Sequence, residues 1–482
     1  MQPAKPTTRW ERILPLALAL LAVLIRLAPL LRSDLSFAFR PDDSFEYLQL
    51  ADGLRHGCGF ARLINGACGP REILRTPGYP LFLAIMPSVR WALAAQAILA
   101  GFLCLGVASC IARHWNFAAA ITAELLIALD LPSLVMSNEI MSESLFQLTL
   151  LFAVVPPLLA FFRPDKAVAA AVVASIAGGC AILIRPIAIF LPVFLPIPFL
   201  LLPSLGWRRR IAASAIACGI SALVLLGWSA RNYAVARYPG LSTVSAINLY
   251  YYRAADVVAR ERGWRLEAAR GVFGAELGIP YAHIYEASVQ SAELARRMNR
   301  LAMRTLVANP LQTIAITLQS WLYLAAAPLR SQVAVLVGTA GASQGDGLNA
   351  GAPSLGRLKG VLRLVLQSRI LTALVLFEIL LTALLWIGIA RAVTGCVAAR
   401  VEYRIWMLYL AAAGAILLVL AAGGEADVRF RAPVIPLLAI VAALGYFPRP
   451  GESKSAALPE LETPLDERNL DALILPGGRN EH

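Results

Sequence analysis

Apolar runs close to membrane-spanning length recur along the chain, and short links holding many of the arginines separate them. A helix needs roughly 20 apolar residues to cross the hydrocarbon core. The pattern predicts helical spans at 13–31, 91–111, 117–134, 144–162, 167–184, 186–203, 211–229, 370–390, 405–421 and 433–447. The alternating ten-residue segments of a membrane barrel are absent from the sequence. The fold class is therefore an all-α polytopic membrane protein of about 10–11 transmembrane helices. The run 311–328 reads either as an eleventh span or as a segment lying in the interface. The second reading keeps Arg391, Arg400 and Arg404 on the same side as the other basic links, and it is preferred.

Composition sharpens this picture. Of 482 residues, 59% are hydrophobic and only 15% charged, against about a quarter charged in soluble chains. A soluble globular protein is excluded. A net charge of +13 would suggest nucleic acid in a soluble chain, but here the arginines punctuate the spans. Topology and anionic lipid account for them, and no nucleic-acid partner is expected. Lys5, Arg9 and Arg12 precede the first run and no small-residue cleavage pattern follows it, so the first helix is read as uncleaved and entering from the cytoplasm. Arg113-His114, Arg163-Pro164-Asp165-Lys166 and Trp207-Arg208-Arg209-Arg210 then fit cytoplasmic turns. Residues 32–90, 135–143, Arg185-Pro186 and 230–312 face outward. The expected organisation is an N-terminal membrane module (1–229), an outer subdomain (230–312) that caps the site, a C-terminal membrane module (313–447) and a poorly ordered tail (448–482).

The densest chemistry lies in the first outward loop, from Arg40 to Ala84. Asp43-Ser44-Phe45-Glu46 has capping-box spacing, Phe45, Leu48, Ala51 and Leu54 approximate an apolar stripe, and Gly57 supplies a stop. A short amphipathic helix on the outer membrane surface follows. Thr76-Pro77-Gly78-Tyr79-Pro80 breaks the chain before Leu81 to Pro87, a run too short to span that dips into the interface. Cys104, Cys110, Cys180, Cys218 and Cys396 fall in or at the ends of apolar runs, where small thiols are ordinary. Cys58 and Cys68 share the outer loop, and an oxidising compartment would join them. Zinc is not expected, since only His56 of the four histidines is near that pair.

The segment Asp43-Ser44-Phe45-Glu46-Tyr47-Leu48-Gln49-Leu50-Ala51 resembles the first-loop signature of GT-C glycosyltransferases. So does Arg75-Thr76-Pro77-Gly78-Tyr79-Pro80-Leu81-Phe82-Leu83. These multi-span enzymes use polyprenyl-phosphate sugars; they include protein O-mannosyltransferases, the lipid A aminoarabinose transferase and rhizobial lipopolysaccharide galacturonosyltransferases. Further similar patches are Met141-Ser142-Glu143-Ser144-Leu145-Phe146, Arg185-Pro186, Trp228-Ser229-Ala230-Arg231-Asn232-Tyr233 and Asp427-Val428-Arg429-Phe430-Arg431-Ala432-Pro433. Tyrosine often occupies the Phe430 position in the family. The resemblance implies a GT-C-like bundle in a bacterial inner membrane with its active site facing the periplasm. It implies an inverting transfer of a hexosyl or pentosyl unit from a polyprenyl-phosphate donor to an outer-face glycolipid, polysaccharide or protein of the cell envelope.

Within that resemblance Asp43 takes the role of base, with Asp42 in reserve and Glu143 as a second acidic position that orients the acceptor or holds a divalent cation. The plain alternatives are an N-cap for Asp43 and a macrodipole-stabilised helix start for Glu143. No cofactor is certain. Arg75, Arg185, Arg429 and Arg431 are candidate donor-phosphate ligands, because guanidinium matches phosphate oxygens bidentately; interfacial snorkelling is their alternative. Tyr47, Tyr79 and Arg231 are candidate substrate contacts, Arg231 equally a tie to the loop. The Tyr250-Tyr251-Tyr252 run reads as an aromatic belt in preference to packing around sugar or prenyl chain, and Glu139 reads as solvated. Asp130 can join the site, Glu124 and Glu378 bond neighbouring helices, and Arg26 pairs with one of these acids. A flippase, secondary transporter or glycan ligase is the competing class; transporters favour paired broken helices and internal repeats, which the sequence does not show. Closing the Cys58–Cys68 loop would stabilise by roughly 2–3 kcal/mol. In intact cells both thiols are expected to resist a membrane-impermeant maleimide until a reductant is added; labelling before reduction would count against the bridge.

Overall fold

A computed structural model of the chain describes residues 8–40, 43–327, 368–396, 401–422 and 427–448. Among these, seven helices are long and apolar enough to cross a membrane: Arg9–Leu31, Val89–His114, Pro164–Ile184, Trp207–Ala236, Arg369–Gly395, Val401–Ala421 and Val428–Tyr446. The Phe117–Ala128 and Leu131–Ser137 helices make an eighth, bent by 55°. The bend has a local cause: Asp130 leaves the helical conformation and caps the second piece through the Ser133 N–H, with Pro132 in its first turn. Glu143–Leu159 and the segment Pro186–Leu200 are apolar but shorter. These elements fall on the ten spans read from the sequence. Their outward faces stay apolar, with Leu16, Leu20, Leu223, Leu226, Leu376 and Leu380 exposed, as lipid contact requires.

The helices share a common polarity. Lys166 precedes and Arg185 follows the Ala167–Ile184 helix, while Glu143 opens the neighbouring helix that closes at Leu159. The basic links therefore gather at one end. There His114 stacks on Phe162 with ring centroids 4.5 Å apart, Trp115 meets Trp406 at 4.4 Å and Asn116 donates to the Phe447 carbonyl at 3.0 Å. Glu143, Arg185, Arg231 and Asp427 lie at the other end. The Pro310–Ala326 helix also stays there: Gln319 accepts from Arg260 of the outer segment, and the Ala325 and Ala327 carbonyls accept from Arg431 at 3.3 and 3.0 Å. The Arg369–Gly395 helix runs alongside Val428–Tyr446 in the same direction, with Glu378 beside Arg431 and Arg391 beside the Gly445 carbonyl. Arg391 thus falls at the basic end. Tyr403 donates to the Leu444 carbonyl, which brings the start of Val401–Ala421 there too.

At the opposite end residues 32–40 and 43–88 fold over the bundle. The Asp43–Arg55 helix stops before Gly57, whose φ is +76°. A hairpin of β1 (Ala61–Ile64) and β2 (Ala67–Arg71) follows. Its two-residue turn, Asn65-Gly66, takes positive φ at both positions, the type I′ geometry that suits twisted strands. Cys58 and Cys68 are joined across the hairpin base, Cα atoms 5.5 Å apart. The segment beyond Trp207–Ala236 has a small core of its own, built from Tyr250, Tyr251, Phe273, Ile284 and Met298 and docked on Ile73 and Leu74. The tyrosine run is therefore core rather than an interfacial belt at Tyr250 and Tyr251, which are 1% and 0% exposed.

One close contact between helices depends on glycine. A Cβ on Gly445 would lie 2.0 Å from the Gly388 carbonyl oxygen, and one on Gly388 would lie 2.7 Å from the Ala442 carbonyl oxygen. Backbone cannot step aside as a side chain can. Gly445→Ala is expected to lower the thermal midpoint in detergent, at a cost of about 1–3 kcal/mol. Gly106→Ala, where a Cβ meets nothing within 4 Å, should leave the midpoint unchanged or slightly raised.

Candidate functional site

Four segments distant in sequence meet at the end of the bundle opposite the basic turns. The Asp43–Arg55 helix is pinned at its start by Ser44, whose hydroxyl accepts from the Arg40 N–H at 2.9 Å and donates to the Ile140 carbonyl at 3.0 Å. Gln96, in the Val89–His114 helix, donates to the Ser137 and Glu139 carbonyls at 3.1 and 3.0 Å and accepts from the Tyr79 hydroxyl at 2.9 Å. One buried amide thus fixes both the 137–141 link and the short Gly78–Ile85 helix. Gly78 lets that helix sit on the end of Ala167–Ile184, since a Cβ there would lie 2.8 Å from the Leu183 carbonyl oxygen. Arg185 precedes a proline and is forced to extended backbone, which turns its side chain off the helix axis toward Glu143.

The charges form an alternating chain. Arg62 bridges Glu72 and Glu46 at 2.6 and 3.1 Å, and Arg75 bridges Glu46 and Asp43 at 2.5 and 2.6 Å. Arg429 reaches Asp43 at 3.2 Å and Asp427 at 3.4 Å. Arg40 joins Asp427 at 2.8 Å to Glu139 at 3.4 Å. A separate pair, Arg185 and Glu143, approaches to 2.6 Å. Glu143 itself is fully buried, and among the described residues no hydrogen bond is aligned to either of its carboxylate oxygens. Arg185 and Arg429 both lie over the Phe430 ring, at 5.7 and 4.8 Å, which links the pair to the chain.

Electrostatics sets these acids apart. Burial opposes the charge on Asp43, but Arg75 and Arg429 together outweigh it and hold the carboxyl well below the ordinary aspartate range. Asp427 is lowered in the same way, with Arg40 and Arg429 overcoming burial. At Glu139 burial wins over Arg40 and pushes the carboxyl up to about 7. Burial also raises Glu72 despite its bonds to Arg62. Asp43 is the most open acid of the chain, its side chain 21% exposed against 9% for Glu139 and none for Glu72. Arg185 and Arg429 are similarly open, at 19% and 17%.

Of the candidates read from the sequence, Asp43, Arg75 and Arg429 are in direct contact, with Glu143 and Arg185 beside them. Asp42 lies outside the described residues. Asp43 and Glu46 share one arginine instead of forming the expected capping box. Glu139 is buried and paired, not solvated, because the 137–141 link is drawn inward by Gln96. Arg431 is turned away: it is 1% exposed and bound to Glu378 at 2.6 Å, so it ties helices together and is closed to a phosphate. Tyr79 has no exposed surface, which removes it as a substrate contact. Tyr47 packs edge-on against Tyr79 at 5.0 Å with Arg75 over its ring at 5.3 Å. Arg231 binds the Glu72 and Phe60 carbonyls and stacks on Trp228, which is the tie to the loop. Asp130 caps a helix apart from the site, and Arg26 bonds the Ala22 and Ala128 carbonyls without an ion pair among the described residues. Glu124 is fully buried with no hydrogen-bond partner among the described residues, so it does not bond a neighbouring helix as expected. Among the described residues no three His, Cys, Asp or Glu side chains are grouped to hold a metal ion.

Sequence reasoning passed over Arg40, Glu46, Arg62, Glu72, Glu139 and Asp427 as members of this chain. The hairpin that carries Arg62 and Glu72 was signalled by Asn65-Gly66. No local pattern links Arg40 to Asp427.

No protein-family model matches the chain, and no characterised protein matches it in sequence. Among solved structures it is similar to the crystal structure of ArnT from Cupriavidus metallidurans bound to undecaprenyl phosphate. That match has a TM-score of 0.36 and 15% identity, covering 92% of this chain and 78% of that one. The apo structure of the same protein matches with a TM-score of 0.36 and 17% identity, over 90% and 76%. Overlays this loose support no residue correspondence, so the site is read from its own geometry.

The raised Glu139 carboxyl has a consequence for stability. Its folded value near 7 exceeds the ordinary 4.5, so its contribution is fully present below about 4.5 and is lost as pH rises through 7. Glu139→Gln removes that dependence. The midpoint of wild type relative to this variant is expected to fall between pH 4.5 and 7.5; parallel midpoints across the range would show that Glu139 titrates normally.

Proposed function

We propose that the chain is an inverting membrane glycosyltransferase that takes a hexosyl or pentosyl unit from a polyprenyl-phosphate donor to an outer-face glycolipid, polysaccharide or protein. The observation that carries this reading is Asp43: an accessible carboxylate held ionised between two arginines, at the bundle end away from the basic turns. By the positive-inside rule that end faces outward, toward the periplasm of a bacterial inner membrane. Nucleotide sugars are not supplied there, so a donor must arrive on lipid. The ordered likeness of the loop segments to GT-C enzymes supports the same conclusion.

The residues divide the work. The donor phosphate docks on Arg429 and Arg185, the two open guanidiniums that share Phe430, where bidentate hydrogen bonds are strongest. The acceptor hydroxyl gives its proton to the Asp43 carboxylate while its oxygen bonds to C1 of the sugar. The C1–O bond to phosphate breaks with its electron pair staying on phosphate, where the arginines stabilise the charge. Attack opposite the leaving group inverts C1. Arg75, held by both Asp43 and Glu46, is fixed as the group that orients the base. Phosphate also competes with Asp43 for Arg429. A base with one fewer guanidinium beside it is a stronger one, so donor binding raises the basicity of Asp43 at the moment it is used.

Asp43→Asn keeps the side chain's shape and removes the base. Transfer of radiolabelled sugar from polyprenyl-phosphate donors in proteoliposomes is expected to drop by about 10²–10⁴-fold, with insertion and the Cys58–Cys68 bridge intact. Wild-type rates in the variant would exclude Asp43 from the chemistry.

A further inference from the structure

A second chemical surface adjoins Asp43 from the side of the outer segment. Residues Asn248–Ala254 form a π-helix, whose wider turn is frequent at functional sites. It sends Tyr250 and Tyr251 into the small core and leaves Tyr252 half-buried. The Tyr252 hydroxyl lies 2.5 Å from that of Tyr281 and 3.1 Å from that of Tyr285, both also half-buried. Behind them the buried Arg270 guanidinium stacks at 4.4 Å from the Tyr252 ring and 4.7 Å from the Tyr281 ring, with its Nε donating to the Tyr251 carbonyl. Tyr285 lies 5.9 Å from the Arg75 guanidinium, and Arg75 holds Asp43 at 2.6 Å.

We infer that Tyr252, Tyr281 and Tyr285 form a sugar-binding subsite that holds the acceptor's glycan ring beside Asp43. The assignment to the acceptor rests on the function proposed above; the assignment to a sugar does not. Tyrosine rings offer a flat apolar face to the C–H face of a pyranose, and clustered phenols both donate to and accept from its hydroxyls. A merely structural trio would be sunk like Tyr250, which is buried in the small core, whereas Tyr252, Tyr281 and Tyr285 each keep part of their surface open. Position separates acceptor from donor. Arg429 and Arg185 stand at the helix ends, where a lipid phosphate arrives, while Tyr285 approaches through Arg75 from the extramembrane segment. Inversion requires the two substrates on opposite sides of C1, and these two surfaces flank Asp43.

The test uses the full chain in nanodiscs with methyl glycosides of glucose, galactose, mannose and galacturonic acid as probes, read by saturation-transfer difference NMR. At least one glycoside should show saturated ring protons in wild type. The signal should weaken about fivefold to tenfold in Tyr285→Ala and in Tyr281→Ala, and persist in part in Tyr285→Phe, which keeps the ring. Undecaprenyl-phosphate binding, followed by tryptophan quenching, should be unchanged in the alanine variants and weakened in Arg429→Ala. No saturation in wild type, or equal saturation in folded wild type and Tyr285→Ala, would overturn the subsite. Glycoside binding without undecaprenyl-phosphate binding would leave the sugar site standing and overturn the transferase reading alone.

Discussion

Removing ionised groups from water costs several kcal/mol each unless partners surround them, and among the described residues six carboxyl groups and five arginines pair at one end of the bundle. The cost is offset by sharing. Arg62, Arg75, Arg429 and Arg40 each contact two carboxylates, and Glu46, Asp43 and Asp427 each contact two arginines. Breaking one link would strand charges on both sides of it. The ion chain therefore fixes how the Asp43–Arg55 helix, the hairpin, the 137–141 link and the start of Val428–Tyr446 sit together. A site made by four segments far apart in sequence is as rigid as its least satisfied member.

Charge also organises the interior, by a different rule. Arg431 and Glu378 are both essentially unexposed, and the arginine's second terminal nitrogen donates to the Ala325 and Ala327 carbonyls. Those carbonyls end the Pro310–Ala326 helix, where the helix itself offers them no donor; the Trp386 indole N–H also donates to Ala325, at 2.8 Å. A buried pair of this kind specifies which helices meet more than it adds stability. Only Phe430 separates Arg429 from Arg431, yet one faces the surface with Asp43 and the other faces the bundle. Pro433 and the 3₁₀ turn at Val428–Val434 give the register that points them apart.

The spans were legible because twenty apolar residues in a row have few other uses, and the polarity of the bundle followed from three short basic links. The cysteine bridge and the helix opening at Asp43 were legible from local spacing. Contacts across the fold were not. Capping-box spacing at Asp43 and Glu46 suggested two side chains serving one helix end; in the folded protein a single distant arginine, Arg75, claims both. Glu139 looked solvated in a polar link, since nothing in the link announces that Gln96, some forty residues earlier, pulls it inward. Arg431 matched the phosphate set by its neighbours in sequence, and only the 3₁₀ register excludes it. Local pattern fixes which groups are available, and packing decides which of them meet.

That division explains why the acids at the site differ so much. Asp43 and Glu139 are both carboxylates within one ion chain, and both are near arginines. Asp43 has two guanidiniums against its oxygens and an open side; Glu139 has one, at longer range, and is nearly sealed. The first stays charged and the second holds its proton to near neutrality. On the function proposed above, a phosphodiester arriving at Arg429 would add one negative charge to a set whose formal sum is already −1, six carboxylates against five arginines. Protonation of Glu139 lowers that burden at the end of the chain, where only its own pairing with Arg40 gives up charge. On the function proposed above, the same burial that makes Glu139 a poor ion would make the site a better host for the donor phosphate.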